Sequence, residues 1–429
     1  MLLGLYRAAT MLGGPLIEAR LRRRTARGKE DPARWRERLG SAGLARPDGP
    51  LLWLHAASVG EARSILPLIE ALLAGRSALQ VLVTTGTVTS AALVGGQLPA
   101  RARHQFAPVD RPQAWRSFLA HWRPDVGLLV ESELWPNLIL EARARGVPLA
   151  LINARMSARS YRRWARLPAS AAGLLGGFAL CLAQSDGDRA RLAALGARHA
   201  VTTANLKYAA PNLPADPDEL AGLAAAVGDR AVWLAASTHP GEEALILEVH
   251  RRLANRLPDL LTVIAPRHPA PGDRLADAIR VQGFRVAQRS RAETLHAESA
   301  IYLADTLGEL GIFYRLARVA LVGGSLVPHG GQNPLEAARL GCPILLGPHT
   351  ANFAEIGARL LQAGAARRVE DGAALDSALA ALLTDRPARL GMAARGLAVA
   401  DEVSAVGLET LTRLGPLLDR TVGPIDARP

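Results

Sequence analysis

Short apolar runs of β-type residues recur along this chain with room for one helix between each pair, and that rhythm allows few folds. LLWLHAA (51–57), VLVTTGT (81–87), VGLLVESE (126–133), PLALINAR (148–155), ALCLAQS (179–185) and AVTTANL (200–206) make a first series. AVWLAAS (231–237), LLTVIAPR (260–267), IYLADT (301–306), VALVGGS (319–325) and PILLGP (343–348) make a second. Such a βαβ alternation implies a mainly parallel sheet with helices on both faces. Between the series lies YAAPNLPADPD (208–218), rich in proline and polar residues, which reads as a linker. At 429 residues the chain is long for one domain and comfortable for two. The expectation is an α/β protein with two doubly wound domains.

Ligands of doubly wound sheets sit beyond the carboxyl ends of the strands, so the residues there are the candidates for chemistry. The densest stretch is Val319 to Thr350, read as strand, loop, helix, strand. Asn333 is placed to cap the helix, Pro334 to begin it and Gly341 to end it. The helix start then faces a loop carrying Gly323, Gly324, Ser325, His329, Gly330 and Gly331, which reads as an anion site. Glu336, in the first turn, either complements the helix dipole or accepts hydrogen bonds from a ribose. The loop has neither the G-x-G-x-x-G nor the G-K-[ST] form.

In the first series, LLWLHAA runs into SVGEARS and puts His55, Ser58, Gly60 and Glu61 at a strand end. Glu61 is a candidate base whose pKa the helix start tends to lower. Ser58 and Glu61, three apart, equally fit a capping box. VESELWPN offers Glu131 and Glu133, which strand alternation points one way, and INARMSARS adds Asn153, Arg155, Ser157 and Arg159, a source of their cation. In the second series, Ser237, Thr238, His239, Gly241 and Glu242 end one strand, and Arg267 and His268 end the next. Arg267 has the forked geometry for a phosphate, with a surface ion pair as the plain alternative. ADTLGEL brings Gly308, Glu309 and Leu310 to another strand end, and Lys207 sits just before the linker.

The formal charge is +12 and nearly all arginine, Lys29 and Lys207 being the lysines. That bias does not imply nucleic acid; it suits anionic membrane surfaces and phosphorylated substrates. Cys181 and Cys342 fall inside apolar strands and read as core residues of a reducing compartment. No metal-ligand spacing occurs. MLLGLYRAATMLGGPLI at the N-terminus is apolar but too short and interrupted for a span, and it lacks the pattern of an export signal. The basic EARLRRRTARGK follows, so the segment reads as attached to the inner leaflet or, more plainly, as a first helix packed on the domain.

Eight motifs in fixed order resemble one family. HAASVGE (55–61), ESELWPN (131–137), INARMSARS (152–160), STHPGEE (237–243), APRHP (265–269), DTLGEL (305–310), GGSLVPHGGQNPLEAA (323–338) and GPHTANF (347–353) are similar to the 3-deoxy-D-manno-octulosonic acid (Kdo) transferases of lipopolysaccharide synthesis. The resemblance spans roughly residues 1 to 365. It implies a GT-B type fold of two Rossmann-like domains facing across a cleft, inverting, with neither metal nor cofactor. The implied reaction moves Kdo from CMP-Kdo to a tetraacylated lipid A precursor at the cytoplasmic side of the cell inner membrane.

By that resemblance Glu61 is the general base, and Ser58, Gly60, Glu131 and Arg155 lie on the acceptor side. Ser237, Thr238, Arg267, His268, Gly324, Ser325, Asn333 and Glu336 hold CMP. Gly308, Glu309 and Leu310 lie near cytosine and Lys207 near the phosphate. The implied layout is a membrane-associated segment 1–30, an acceptor domain 31–207, the linker 208–218, a donor domain 219–400 and a C-terminal helix 401–429 returning to the first domain. The chain departs from the family at Ala204-Asn205, where Gly-Ser is usual, and His329 and Gln332 occupy variable positions. Alternatives within reach of the same residues are a non-hydrolysing nucleotide-sugar epimerase and a catalytically silent nucleotide-binding protein.

Overall fold

The computed structural model describes residues 2–209 and 212–426. Part of the expected linker, residues 210–211, lies outside the described residues, as do position 1 of the N-terminal segment and 427–429 of the C-terminal one. The chain forms two compact units, residues 1–210 with 404–429, and residues 211–403.

The first unit holds seven strands: β1 (Leu51–Ala56), β2 (Gln80–Thr85), β3 (Ala102–Phe106), β4 (Val126–Val130), β5 (Leu149–Ala154), β6 (Phe178–Ala183) and β7 (Ala200–Thr202). They pair in parallel in the order β3-β2-β1-β4-β5-β6-β7. Successive residues of β1 feed opposite faces: Leu51 and Trp53 join one core with Trp115 and Phe118, Leu52 and Leu54 the other with Ile65 and Ile69. Trp53 dictates a neighbour's identity, because a Cβ on Gly127 of β4 would lie 3.0 Å from its ring and 2.6 Å from Leu149. Each buried aromatic removes ~150–250 Å² from water, about 4–6 kcal/mol of transfer free energy. The helix Val406–Thr421 belongs to this unit, with Leu414, Leu417 and Leu418 buried in the second core and Asp419 2.7 Å from Arg76.

The second unit repeats the design with β8 (Ala231–Thr238), β9 (Leu260–Pro266), β10 (Val286–Gln288), β11 (Ile301–Leu303), β12 (Val319–Val322), β13 (Ile344–Leu346) and β14 (Ala366–Arg368), in the order β10-β11-β9-β8-β12-β13-β14. All its pairings are parallel. The apolar runs mark eleven of the fourteen strands. The three without a run, β3, β10 and β14, are all edge strands: β3 and β14 are covered less completely and carry Arg103 and Arg367, while β10 carries a buried Gln288 whose amide donates to Asp273 and Asp305 at 2.9 and 2.7 Å.

Candidate active site

In the first sheet the strand order reverses between β1 and β4, and a doubly wound sheet opens its ligand crevice at such a switch point. Beyond β1, Ser58 caps the helix Val59–Ala74, its hydroxyl accepting from the Glu61 amide at 3.3 Å. The Glu61 carboxylate accepts in return from the Ser58 hydroxyl at 2.7 Å and from the Ala57 amide at 2.8 Å. The capping arrangement is therefore present, and Glu61 also stands among Glu131 and Glu133. The expectation that the helix start lowers its pKa is overturned. Burial raises it most, the bonds from Ser58 and Ala57 oppose this, and the charges of Glu131 and Glu133 add to the rise. A carboxylate moved toward neutrality is a better proton acceptor when ionised than an ordinary exposed one. Gly60 lies beside it at the helix start, where a Cβ would stand 3.9 Å from Lys207 Cε.

Glu131 and Glu133 do not share a strand face, because β4 ends at Val130 and Glu131 turns the chain at φ +61°. Their partners differ accordingly. Lys207 Nζ reaches Glu131 Oε1 at 2.7 Å, while His55 Nε2 lies 3.6 Å from Glu133 Oε2. Arg155, expected with Arg159 as a source of the cation, contributes backbone only: its amide donates to Glu131 O at 3.4 Å, and its carbonyl accepts from the Ser132 hydroxyl at 2.7 Å. Lys207, assigned by resemblance to the donor phosphate, is here the counter-ion of Glu131. His55 is fully buried, with Nδ1 3.0 Å from the Thr84 hydroxyl and its ring edge-on to Trp135. Non-glycine residues at positive φ cluster at these strand ends, with Asn153 at +50° and Ala204 at +103°. Such conformations concentrate where structure over-determines a site. Ala204 occupies backbone suited to glycine, which is the residue the family usually has there.

In the second sheet the order reverses between β8 and β12. Gly323 follows β12 so closely under the Ser237 carbonyl that no side chain fits, and Ser237 itself turns at φ +57°. Glu242, the first residue of the helix Glu242–Ala254, is wholly buried. Its Oε2 accepts from the His239 and Gly324 amides at 2.9 and 2.7 Å, its Oε1 from the Ser325 and Leu326 amides at 3.2 and 3.0 Å. One carboxylate thus ties the two loops together. Thr238 donates its hydroxyl to Glu243 at 2.8 Å. Ser325 is fully buried, its hydroxyl donating to the Val322 carbonyl and accepting from the Gly347 amide at 2.9 Å. It fastens the loop internally and does not present its hydroxyl to a ligand.

Over this loop the His239 and His329 rings stack at 3.7 Å, and a Cβ on Gly324 would meet both. Gln332 Nε2 lies 2.9 Å from His239 Nε2, and the His268 ring stands edge-on at 6.4 Å. Burial lowers the His239 pKa, and neighbouring His329, His268 and Arg267 press the same way against Glu242. Arg267 is exposed, anchored by its amide to the Thr238 carbonyl at 3.0 Å. Three histidines and an arginine at one strand-end edge form a place for an anion. The sequence places His239 and Glu242 at a strand end and His329 in the anion loop without giving them a role, and marks Gln332 only as a variable position; the STHPGEE and PHGGQ strings held the signal.

The expected helix after this loop is shorter than its sequence suggests. Its α-helical part is Leu335–Ala338, a single turn, so it lacks the dipole of a full helix. The N-cap is Pro334, not the expected Asn333, which precedes it in an Asx-type turn, its Oδ1 accepting from the Leu335 amide at 3.1 Å and its Nδ2 standing 3.4 Å from Glu336 Oε1. At the end of β11, Gly308 turns at φ +88° before Leu310 starts the helix Leu310–Leu316. Glu309 is held by Arg289 at 2.6 and 3.2 Å, which keeps its carboxyl below the ordinary value. Among the described residues no group of three or more His, Cys, Asp or Glu side chains is arranged to hold a metal ion.

Comparison with known proteins identifies the family. Residues 33–210 match the family described as "3-Deoxy-D-manno-octulosonic-acid transferase (kdotransferase)". A probable mitochondrial 3-deoxy-D-manno-octulosonic acid transferase of Arabidopsis thaliana is 39% identical over 369 residues, 84% of this chain and 82% of that protein. The 3-deoxy-D-manno-octulosonic acid transferase of Haemophilus influenzae is 35% identical over 402 residues, 91% of this chain and 93% of that one. Among solved structures, a UDP-N-acetylglucosamine 2-epimerase from Listeria monocytogenes aligns with TM-score 0.57 at 15% identity, covering 89% of this chain and all of its own, which speaks to the GT-B type fold. The fold, the ordered motifs and the relatives converge: this chain belongs to the 3-deoxy-D-manno-octulosonic acid transferases, and is a glycosyltransferase.

Proposed function

We propose that the protein transfers Kdo from CMP-Kdo to a hydroxyl of a tetraacylated lipid A precursor, with inversion and without a metal ion, and that Glu61 is the base. The observation that carries this reading is the buried Glu61 carboxylate at the β1/β4 switch point, with its pKa raised. Glu61 takes the proton of the acceptor hydroxyl as that oxygen attacks the anomeric carbon. The bond from that carbon to the phosphate oxygen breaks, and CMP leaves with the electron pair. In this reading the first unit binds the acceptor, with Lys207 and Glu131 beside it, and the second binds the donor. Arg267 supplies positive charge, and His268 and His329 ring N–H donors, for the departing phosphate, which is the support for a metal-free mechanism.

The same reading puts the protein on the cytoplasmic side of the inner membrane, attached through residues 1–30. Among the described residues no helix is long and apolar enough to cross a membrane. Support for attachment in the plane comes from Leu12 and Leu16, exposed at 80% and 77%, followed by the exposed Arg20, Arg22 and Arg23. The test is mass spectrometry of the lipid after incubating the purified protein with CMP-Kdo and the tetraacylated precursor in detergent. A Kdo mass increment is expected. Unmodified lipid with free altered sugar would assign an epimerase, and CMP binding with neither product a silent binding protein.

A further inference from the structure

The helix Leu2–Leu12 is mounted on the first unit by its polar residues. Tyr6 Oη donates to Asp110 Oδ2 at 2.9 Å, Asn137 Nδ2 donates to Thr10 Oγ1 at 3.0 Å, and Arg7 pairs with the buried Glu141. An amphipathic helix on a water-facing surface does the reverse and buries its leucines. Here Leu2 and Leu5 remain 46% and 59% exposed, along one wall of an apolar groove of about 560 Å³. Trp164, Leu167, Leu134 and Pro136 complete its apolar lining.

Two further features say what such a groove takes. Its lining residues Leu134 and Pro136 follow Glu131 and Glu133 in the chain, and Trp135 between them stands edge-on to His55, so the groove shares a loop with two of the carboxylates that act on Glu61. Its Trp164 belongs to the helix Ala158–Ala165, ARSYRRWA, which has no acidic residue and carries exposed Arg159, Arg162 and Arg163, with Arg166 just beyond. Among the described residues none of these four arginines joins an ion pair. An occupant that satisfies both features has a hydrocarbon chain for the groove and phosphate for the arginines.

We infer that this groove binds an acyl chain of the phosphorylated glycolipid acceptor, drawn out of the bilayer alongside the helix Leu2–Leu12, with Arg159, Arg162, Arg163 and Arg166 holding the headgroup phosphate. The inference rests on the proposed lipid acceptor and adds the place where its chain is recognised. At roughly fourfold in affinity per methylene removed from water, a few methylenes make the acylated acceptor preferred over its deacylated headgroup by more than 10-fold.

Two measurements on the full-length protein test this. The first compares kcat/KM for the tetraacylated precursor with that for the same disaccharide bisphosphate stripped of its chains, in wild type and in Ala9→Trp, which fills the groove from its rim. The acylated-to-deacylated ratio is expected to exceed 10 in wild type and to fall at least 10-fold in the variant; a ratio that does not change overturns the inference. The second is photocrosslinking from a benzophenone at the end of an acyl chain of the same precursor, mapped by peptide mass spectrometry. Crosslinks at Leu134, Trp164 and Leu167 that are lost in Ala9→Trp support the groove even if no Kdo is transferred, in which case the reaction assignment fails and the lipid site stands. Crosslinks confined to Leu12 and Leu16 would assign the face to general bilayer contact and overturn it.

Discussion

Glu242→Gln isolates the contact on which the loops after β8 and β12 depend. The carboxylate accepts four backbone N–H groups, two on each oxygen, at 2.7 to 3.2 Å, in a fully buried position. Glutamine keeps one oxygen and turns an NH2 group toward the two donors at the other. Two buried amides then lose their acceptor at about 1–3 kcal/mol each, and the remaining two lose the help of a charge. The sum is about 3–6 kcal/mol, a large share of a typical domain's ~5–15 kcal/mol. Amide hydrogen exchange read by mass spectrometry should show peptides over 323–326 losing protection by at least ~100-fold, and the thermal transition should fall by roughly 6–12 °C. Glu243→Gln is the control, since Glu243 accepts one hydroxyl bond, from Thr238, and should shift the transition far less. Unchanged exchange at 323–326 in Glu242→Gln would refute the view that this carboxylate organises the loop.

Ala204→Gly should stabilise the protein by about 0.5–2 kcal/mol, because relief of the φ +103° backbone outweighs the added entropy of a glycine in the unfolded chain; a lower melting temperature would contradict this. Lys207→Met leaves Glu131 without its cation, and is expected to raise the acceptor KM about 10-fold or more with little change in melting, since the lysine is 42% exposed. Burial lowers His104 and His250 from 6.5 to about 4, so both stay neutral in the fold while the unfolded chain takes up their protons. Their contribution is therefore complete above pH 6.5 and is lost as the pH falls toward 4, by about 3 kcal/mol each, and His104→Gln should flatten that acid slope in urea titrations. Cys181 and Cys342 are buried with thiols pushed up to about 12, so neither should react with a thiol reagent until the protein is denatured.

The interior strands were legible because a strand covered on both faces must be apolar, as LLWLHA and VALV are. The edge strands β3, β10 and β14 carry arginine and glutamine and escape the same reading. Spacing alone located the Ser58–Glu61 cap, but it could not reveal the burial and the two neighbouring carboxylates that reverse the expected pKa shift of Glu61. Alternation along β4 misplaced Glu131 and Glu133, because a left-handed residue at Glu131 breaks the pleat. The Lys207–Glu131 pair joins residues 76 positions apart and follows no local pattern. Ser325 and Glu242 show the same limit from another side. The sequence marks both as polar groups near a glycine loop, and the hydrogen bonds make them its fasteners.

The measurement closest to the central claim is the rate of Kdo transfer by Glu61→Gln under saturating substrates, beside its affinity for CMP. Loss of a positioned base predicts a fall of ~10²–10⁴ in kcat with CMP binding unchanged. In the wild type, the acid limb of kcat/KM should lie above the ordinary carboxylate value, as the raised pKa requires. Transfer by the glutamine variant at the wild-type rate would contradict the account.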